Sequence, residues 1–437
     1  MIAPTTPALR RRPVDPSQLA FQRMKTAVHQ ELVESLDLAQ VAPIESEPMR
    51  REIRALAATL VAARCGPLDA AARQRMLAEL EDEVYGLGPL EPLLRDPAIS
   101  DVLVNHAHEV YVERHGRLEL SDVVFADDQH VLRIVQRIVG RVGRRIDEVS
   151  PMVDARLEDG SRVNAVVPPL VLDGPKLSIR RFGAKHLQLE NLLANGSLTA
   201  EMAEFLQAAV AARISFLISG GTGAGKTTLL DALSASIPAD ERLITIEDSA
   251  ELILQHEHVV RMETRPPNTE GAGEFTQRDL VRNSLRMRPD RILVGEVRGG
   301  EALDMLQAMN TGHQGSLTTI HANDTHDALA RLEMMVAMTG LELPIHVVRQ
   351  YIAAGIKLVV HLTRLKGGMR RVTRITEVLG VRDGQYELAD LFGYHQTGLS
   401  SNGMAVGEYY VTGHPPRCGR QIEESGVSLR EELFRPR

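Results

Sequence analysis

The chain has 437 residues and a formal net charge of −8, a length that fits two to three domains and a balance that argues against a protein whose main task is coating nucleic acid. Only 3% of residues are aromatic and Trp is absent, so the cores must be built from Leu, Val, Ile, Met and Ala. No apolar run is long enough to span a bilayer, and Arg10–Arg12 have no apolar stretch behind them, so neither a transmembrane segment nor a secretory signal is expected.

In chain order, residues 1–16 carry Pro4, Pro7, Pro13 and Pro16 with little apolar content and read as a disordered arm. Residues 17–95 show helical periodicity, as in Leu56–Val61 and Met76–Leu80, and predict a small helical region. The period then changes. Ile99–Asn105 and Val110–Arg114 read as strands joined with a turn signal at His115-Gly116. Val131–Val142 reads as a helix, Arg156–Asn164 as a hairpin about Asp159-Gly160, and Leu177–Phe182 as a last strand. Residues 96–183 therefore predict an α+β domain, 184–199 a linker, and 200–395 an α/β domain in which apolar strands alternate with helices. Residues 396–437, rich in Gly, Ser and Pro, predict a tail with a short helix at 428–434.

The strand pattern Ile214–Ser219 runs into Gly220-Gly221-Thr222-Gly223-Ala224-Gly225-Lys226-Thr227-Thr228, and a helical pattern follows. This is G-x-x-x-x-G-K-[ST] between a strand and a helix, the setting the phosphate-binding loop requires. Glycines let successive N–H groups point at phosphate oxygens, and the helix adds its positive N-terminal end. Lys226 is expected on the β- and γ-phosphates and Thr227 on Mg²⁺, so the cofactors expected are ATP and Mg²⁺.

Hydrolysis also needs an acid at a neighbouring strand end. Arg242–Asp248 ends in Glu247-Asp248, and Arg291–Glu296 ends in Gly295-Glu296. Glu296 is the preferred general base or Mg²⁺-water ligand, with Glu247 second and Asp248 a further candidate. Gly295 stands where an aspartate is often found. His321 ends another apolar strand and is a candidate γ-phosphate sensor, with His313 in the preceding glycine-rich stretch a further candidate.

These residues resemble the Walker A, Asp box, Walker B and His box of the secretion-system traffic ATPases. The run Asn283–Arg291, continuing through Val297–Ala302, and Met309–Gly312 are similar to the CpaF or TadA-like branch, which powers tight-adherence (Flp-type) pili; the resemblance covers about 80–395. It implies an α/β fold with a RecA-like P-loop ATPase domain, a small PAS-like α+β domain and an N-terminal helical bundle. It also implies a homohexamer with ATP between the two ATPase domains of a subunit. Arginines from the first of these would reach the phosphates: Arg180 and Arg181, with Arg156 and Arg162 as further candidates. The expected partners are inner-membrane platform proteins of a pilus or secretion system, which would place a cytoplasmic protein at the inner face of that membrane. Cys65 and Cys418 are too far apart to supply the four-cysteine zinc element common in type II secretion relatives. The alternatives are a conjugation-type (VirB-type) secretion ATPase and a nucleotide-sensing scaffold with little turnover.

Overall fold

In the computed structural model, which describes residues 16–35, 47–66, 68–114, 116–182, 187–267 and 272–436, the helical periodicity near the N-terminus becomes α1 (Pro16–Ser35), α2 (Glu47–Arg64) and α3 (Ala70–Tyr85). Their apolar residues recur at helical spacing and form one small core: Val28 and Leu32, then Ile53, Ala57 and Val61, then Met76 and Leu80. Of the arm expected at 1–16, residues 1–15 lie outside the described residues, as does the turn residue His115, while Pro16 opens α1. The chain divides into two units, Met1–Ala184 and Lys185–Arg437.

The first unit continues with α4 (Glu91–Arg95), β1 (Ile99–His106), β2 (Glu109–Arg114), β3 (Arg117–Leu120), α5 (Asp128–Arg141), β4 (Met152–Arg156), β5 (Arg162–Val166) and β6 (Lys176–Arg180). The strands form an antiparallel sheet of order β3-β2-β1-β6-β5-β4. Alternate residues such as Val102, Val104, Val163 and Ile179 share a core with Val131, Ile134, Val135 and Ile138 of α5. Asp127 caps α5 by accepting the His130 N–H at 2.7 Å. Lys25 of α1 is fully buried, 3.1 Å from Glu79 and 3.0 Å from Glu83, and Glu83 also meets His130 at 3.1 Å. Burial alone would raise the Glu83 carboxyl, but His130 and Lys25 outweigh it and hold it at about 2.

The second unit holds α6 (Leu189–Ala194), α7 (Ala200–Ala211), β7 (Phe216–Gly220), α8 (Lys226–Ser234), β8 (Leu243–Glu247), β9 (Val259–Glu263), α9 (Gln277–Ser284), β10 (Arg291–Val297), α10 (Glu301–Asn310), β11 (Leu317–His321), α11 (Thr325–Ala337), α12 (Ile345–Gly355), β12 (Leu358–Arg364), β13 (Arg370–Arg382), β14 (Gln385–Leu399), β15 (Ala405–Val411) and α13 (Gly419–Glu424). Its sheet runs β15-β14-β13-β12-β7-β11-β10-β8-β9. The strands from β12 to β9 are parallel, and β12 through β15 continue as an antiparallel meander. β7 and β8 are buried at every residue, as a sheet covered on both faces requires. The fold is mixed α/β and RecA-like.

Two expectations are corrected. The tail expected at 396–437 belongs to the fold: β14 runs to Leu399, β15 follows, and α13 replaces the helix expected at 428–434, where only a 3-10 turn at Glu431–Phe434 forms. The reason is packing. Phe434 lies 5.5 Å from the ring of Phe205 and 5.6 Å from that of Phe392, and all three are buried. The linker expected at 184–199 contains α6, whose Leu189 and Leu192 join the core of this unit with Leu198; residues 183–186 lie outside the described residues.

Candidate nucleotide site

β7 lies between β11 and β12, and its last residue, Gly220, is level with His321 on one side and Leu362 on the other. A side chain at 220 is excluded, because a Cβ there would fall 2.4 Å from the Leu362 carbonyl oxygen. Gly223 (φ +68°) and Gly225 (φ +97°) turn the chain back in the left-handed region, and buried Ala224 anchors the loop between them. Gly225 is the N-cap of α8 and offers no capping side chain, so the N–H groups of the first turn face an open, positive helix end. Lys226 opens that helix. Its ammonium donates to the carbonyls of Gly220 (3.1 Å) and Gly221 (3.3 Å). Thr227 and Thr228 are half-buried in the first turn, and Thr222 is exposed. This cradle fits a nucleotide phosphate chain: crowding forbids a side chain at its first residue, and its helix end lacks a side-chain cap.

The two acid-ended strands, β8 and β10, are parallel neighbours in which Val294 pairs with Ile246, bringing Gly295 beside Glu247. A Cβ at 295 would lie 2.8 Å from the Glu247 Cγ. The glycine standing where an aspartate is often found is thus the space that the Glu247 side chain fills. Glu247 is 3% exposed. Its Oε1 accepts the N–H groups of Glu251 (2.9 Å) and Leu252 (3.0 Å), while Oε2 has no hydrogen-bond partner among the described residues. Burial pushes this carboxyl up to about 7, against those two N–H donors.

Glu296 sits differently. The register against β11 slips between Val294 and Val297, a local irregularity of the kind that re-aims side chains beside functional sites. Its Oε1 is 3.7 Å from the Lys226 ammonium. Its Oε2 accepts from Arg298 Nε at 2.9 Å and Nη2 at 2.5 Å, and Arg298 also reaches Asp248 at 3.2 Å. Arg298 therefore joins the acids at the ends of both strands.

His321, level with Gly220, shares the sheet edge of the loop. His313 does not. It precedes β11, where the Gly315 N–H donates to the hydroxyl of Ser215, just before β7. Four strand residues, Leu317–Ile320, lie between the two histidines and span about 13 Å at roughly 3.3 Å per residue, so His313 leaves the candidate set. In the first unit, Arg156, Arg162 and Arg180 are directly paired across β4, β5 and β6. They share the face opposite buried Val163 and Ile179. Arg180 is exposed, whereas the Arg181 guanidinium donates to the backbone carbonyls of Asp96 and, at 3.1 Å, Ile99. Arg181 thus anchors a loop.

Sequence reasoning missed Arg298, His361, Arg364 and Arg370. Burial lowers the His361 pKa, and its Nδ1 lies 2.9 Å from the Ser219 hydroxyl at the foot of the loop. Arg298 follows Glu296 by two residues, a spacing that could have drawn attention to it. The other three sit on β12 and β13, whose place beside the loop depends on strand order.

Residues 83–387 match the family described as Type II/IV secretion system protein. The chain belongs to that family. A Mycobacterium tuberculosis protein provisionally named a conjugal transfer protein is 40% identical over 336 residues, covering 76% of this chain and 94% of that protein. The conjugal transfer protein TrbB of Rhizobium radiobacter is 32% identical over 72% of this chain and 93% of its own length. The crystal structure of the VirB11 ATPase from the Brucella suis type IV secretion system, in complex with sulphate, is 32% identical over 66% of this chain and 95% of that one, with a TM-score of 0.36. No helix among the described residues is long and apolar enough to cross a membrane.

Proposed function

We propose that this secretion-family chain is an ATP-hydrolysing motor that works as a homohexameric ring. The observation that carries the reading is the approach of Glu296 to Lys226, 3.7 Å, at the uncapped start of α8. Loop N–H groups and Lys226 bind the phosphates, and Mg²⁺, held through Thr227 and by Glu296 through water, would neutralise charge on the transferred group. The two glutamates divide the work. Glu296, in reach of the loop lysine, orients the reacting end. Glu247, with its carboxyl near 7, accepts the proton of the attacking water, the poise a general base needs. His321 senses the γ-phosphate from the neighbouring strand.

The work done is pilus assembly of the tight-adherence type, through inner-membrane platform proteins. The run Asn283–Ala302 supports that reading. Conjugal transfer is the second reading, favoured by the names of the relatives in Mycobacterium tuberculosis and Rhizobium radiobacter. Steady-state ATP hydrolysis by the wild type, Lys226→Ala and Glu296→Gln, with light scattering beside a slowly hydrolysed ATP analogue, tests the motor. Both variants are expected to lose about 100-fold or more in rate, and the analogue to favour six subunits. Binding of ATP without turnover in any oligomer would move the scaffold reading to the front. In cells, a Glu296→Gln strain that loses surface pili but still transfers DNA supports the first reading, and the reverse supports the second.

A further inference from the structure

The hairpin formed by β12 and β13 runs past the nucleotide loop. β12 lies parallel to β7 with Leu362 level with Gly220, so Arg364 extends beyond the first residue of the loop on the same sheet edge. Arg364 and Arg370 are cross-strand partners at the turn of this hairpin. Arg370 Nε donates to the Gly223 carbonyl at 2.8 Å. A Cβ built on Gly223 would lie 3.1 Å from Arg364 Nη1, and one built on Gly225 would lie 3.3 Å from Arg370 Cδ, so both side chains rest directly on the loop.

With Lys226, three cationic side chains gather at the N-terminal end of α8. A helix dipole favours anions there and cations at the other end. Cationic side chains placed at the N-terminal end act in the same sense as the dipole on a bound polyanion. Arginine suits the task, because its planar guanidinium can give two parallel hydrogen bonds to phosphate oxygens. The next residue serves as an internal contrast. Arg371 points to the other face of the strand, where its Nη1 donates to the Asn195 carbonyl at 2.8 Å.

We propose that Arg364 is a phosphate-binding residue of the nucleotide site, acting from within the same unit as the loop, and that Arg370 is a positioning residue that fixes the loop through Gly223. The proposal rests on the nucleotide reading above and extends it to a part of the chain that carries no nucleotide motif. A fluorescent ADP analogue, titrated at low and moderate salt into the full-length wild type and into Arg364→Ala, Arg364→Lys, Arg370→Ala and Arg371→Ala, tests it, with thermal unfolding of each variant as a check on folding. Arg364→Ala is expected to bind about tenfold more weakly and with a shallower salt dependence, because one charge no longer contributes. Arg364→Lys should recover part of the affinity. Arg370→Ala should weaken binding several-fold and shrink the thermal shift on adding ADP, and Arg371→Ala should bind within twofold of the wild type. Wild-type binding with Arg364→Ala unchanged overturns the phosphate role alone. A wild type that binds no ADP overturns the nucleotide reading and this proposal with it.

Discussion

Glu247 and Glu296 end adjacent strands on one edge of one sheet, yet the fold treats them in opposite ways. Glu247 is sealed against Gly295 with one oxygen unpartnered among the described residues, and its proton affinity rises to about 7. Glu296 is more open, and is held by Lys226 and the two-point grip of Arg298. One acid is shut away from water and the other is gripped by cations. Placing two identical residues in unlike surroundings is how a site separates a proton acceptor from a charge holder.

The largest test of this contrast is Glu247→Gln. Hydrolysis should fall about 100-fold, and with it the activity limb near pH 7 should disappear. Stability gives the same test independently. The ordinary value of 4.5 applies to the unfolded chain and about 7 to the folded one. Glu247 therefore contributes stability that is full below pH 4.5 and lost as pH rises to 7. Glu247→Gln should remove that slope, and above pH 7 the variant should be more stable than the wild type by about 3 kcal/mol. Parallel unfolding curves for the two proteins from pH 5 to 8 would contradict the burial account. Next comes Gly295→Ala, whose Cβ meets Glu247 at 2.8 Å. It should lower stability by about 1–3 kcal/mol, read as a shift in the urea midpoint, and an unchanged midpoint would mean the two strand ends are less closely fitted than described. Arg298→Ala should lower kcat about tenfold by releasing Glu296, with partial rescue by Arg298→Lys. A kcat equal to wild type would leave the grip without a role. The smallest effect expected is for His313→Ala, at the opposite sheet edge, whose rate should stay within twofold of wild type. A larger loss would return His313 to the site.

The parts of the site that could be read from the sequence were those written in consecutive residues. Gly220–Thr228 announces itself through spacing, and Ile246-Glu247 and Val294-Gly295-Glu296 each show an apolar run closing on an acid. The roles of the two glutamates could not be separated, because the partner that shapes Glu247 is a glycine 48 positions later. Arg364 and Arg370 bracket a Gly-Gly turn that reads as a hairpin, but nothing local says that β12 lies beside β7. The C-terminal strands were hidden for another reason: Gly398, Gly403 and Gly407 within and between β14 and β15 give the composition of a loop, whereas cross-strand pairing such as Tyr394 with Tyr409 decides the conformation.

The start of β10 completes the account. Arg291 is fully buried, with its guanidinium clasping Glu241 at 2.5 and 2.9 Å and the carbonyls of Val210 and Gly315 at 2.6 and 3.4 Å. Four segments are thus riveted together at the far end of the strand that carries Glu296. Removing one side of such a buried pair costs about 3–5 kcal/mol. Arg291 thereby gives β10 a fixed origin, and Glu296 is carried near the far end of a strand whose start is tied to three other segments.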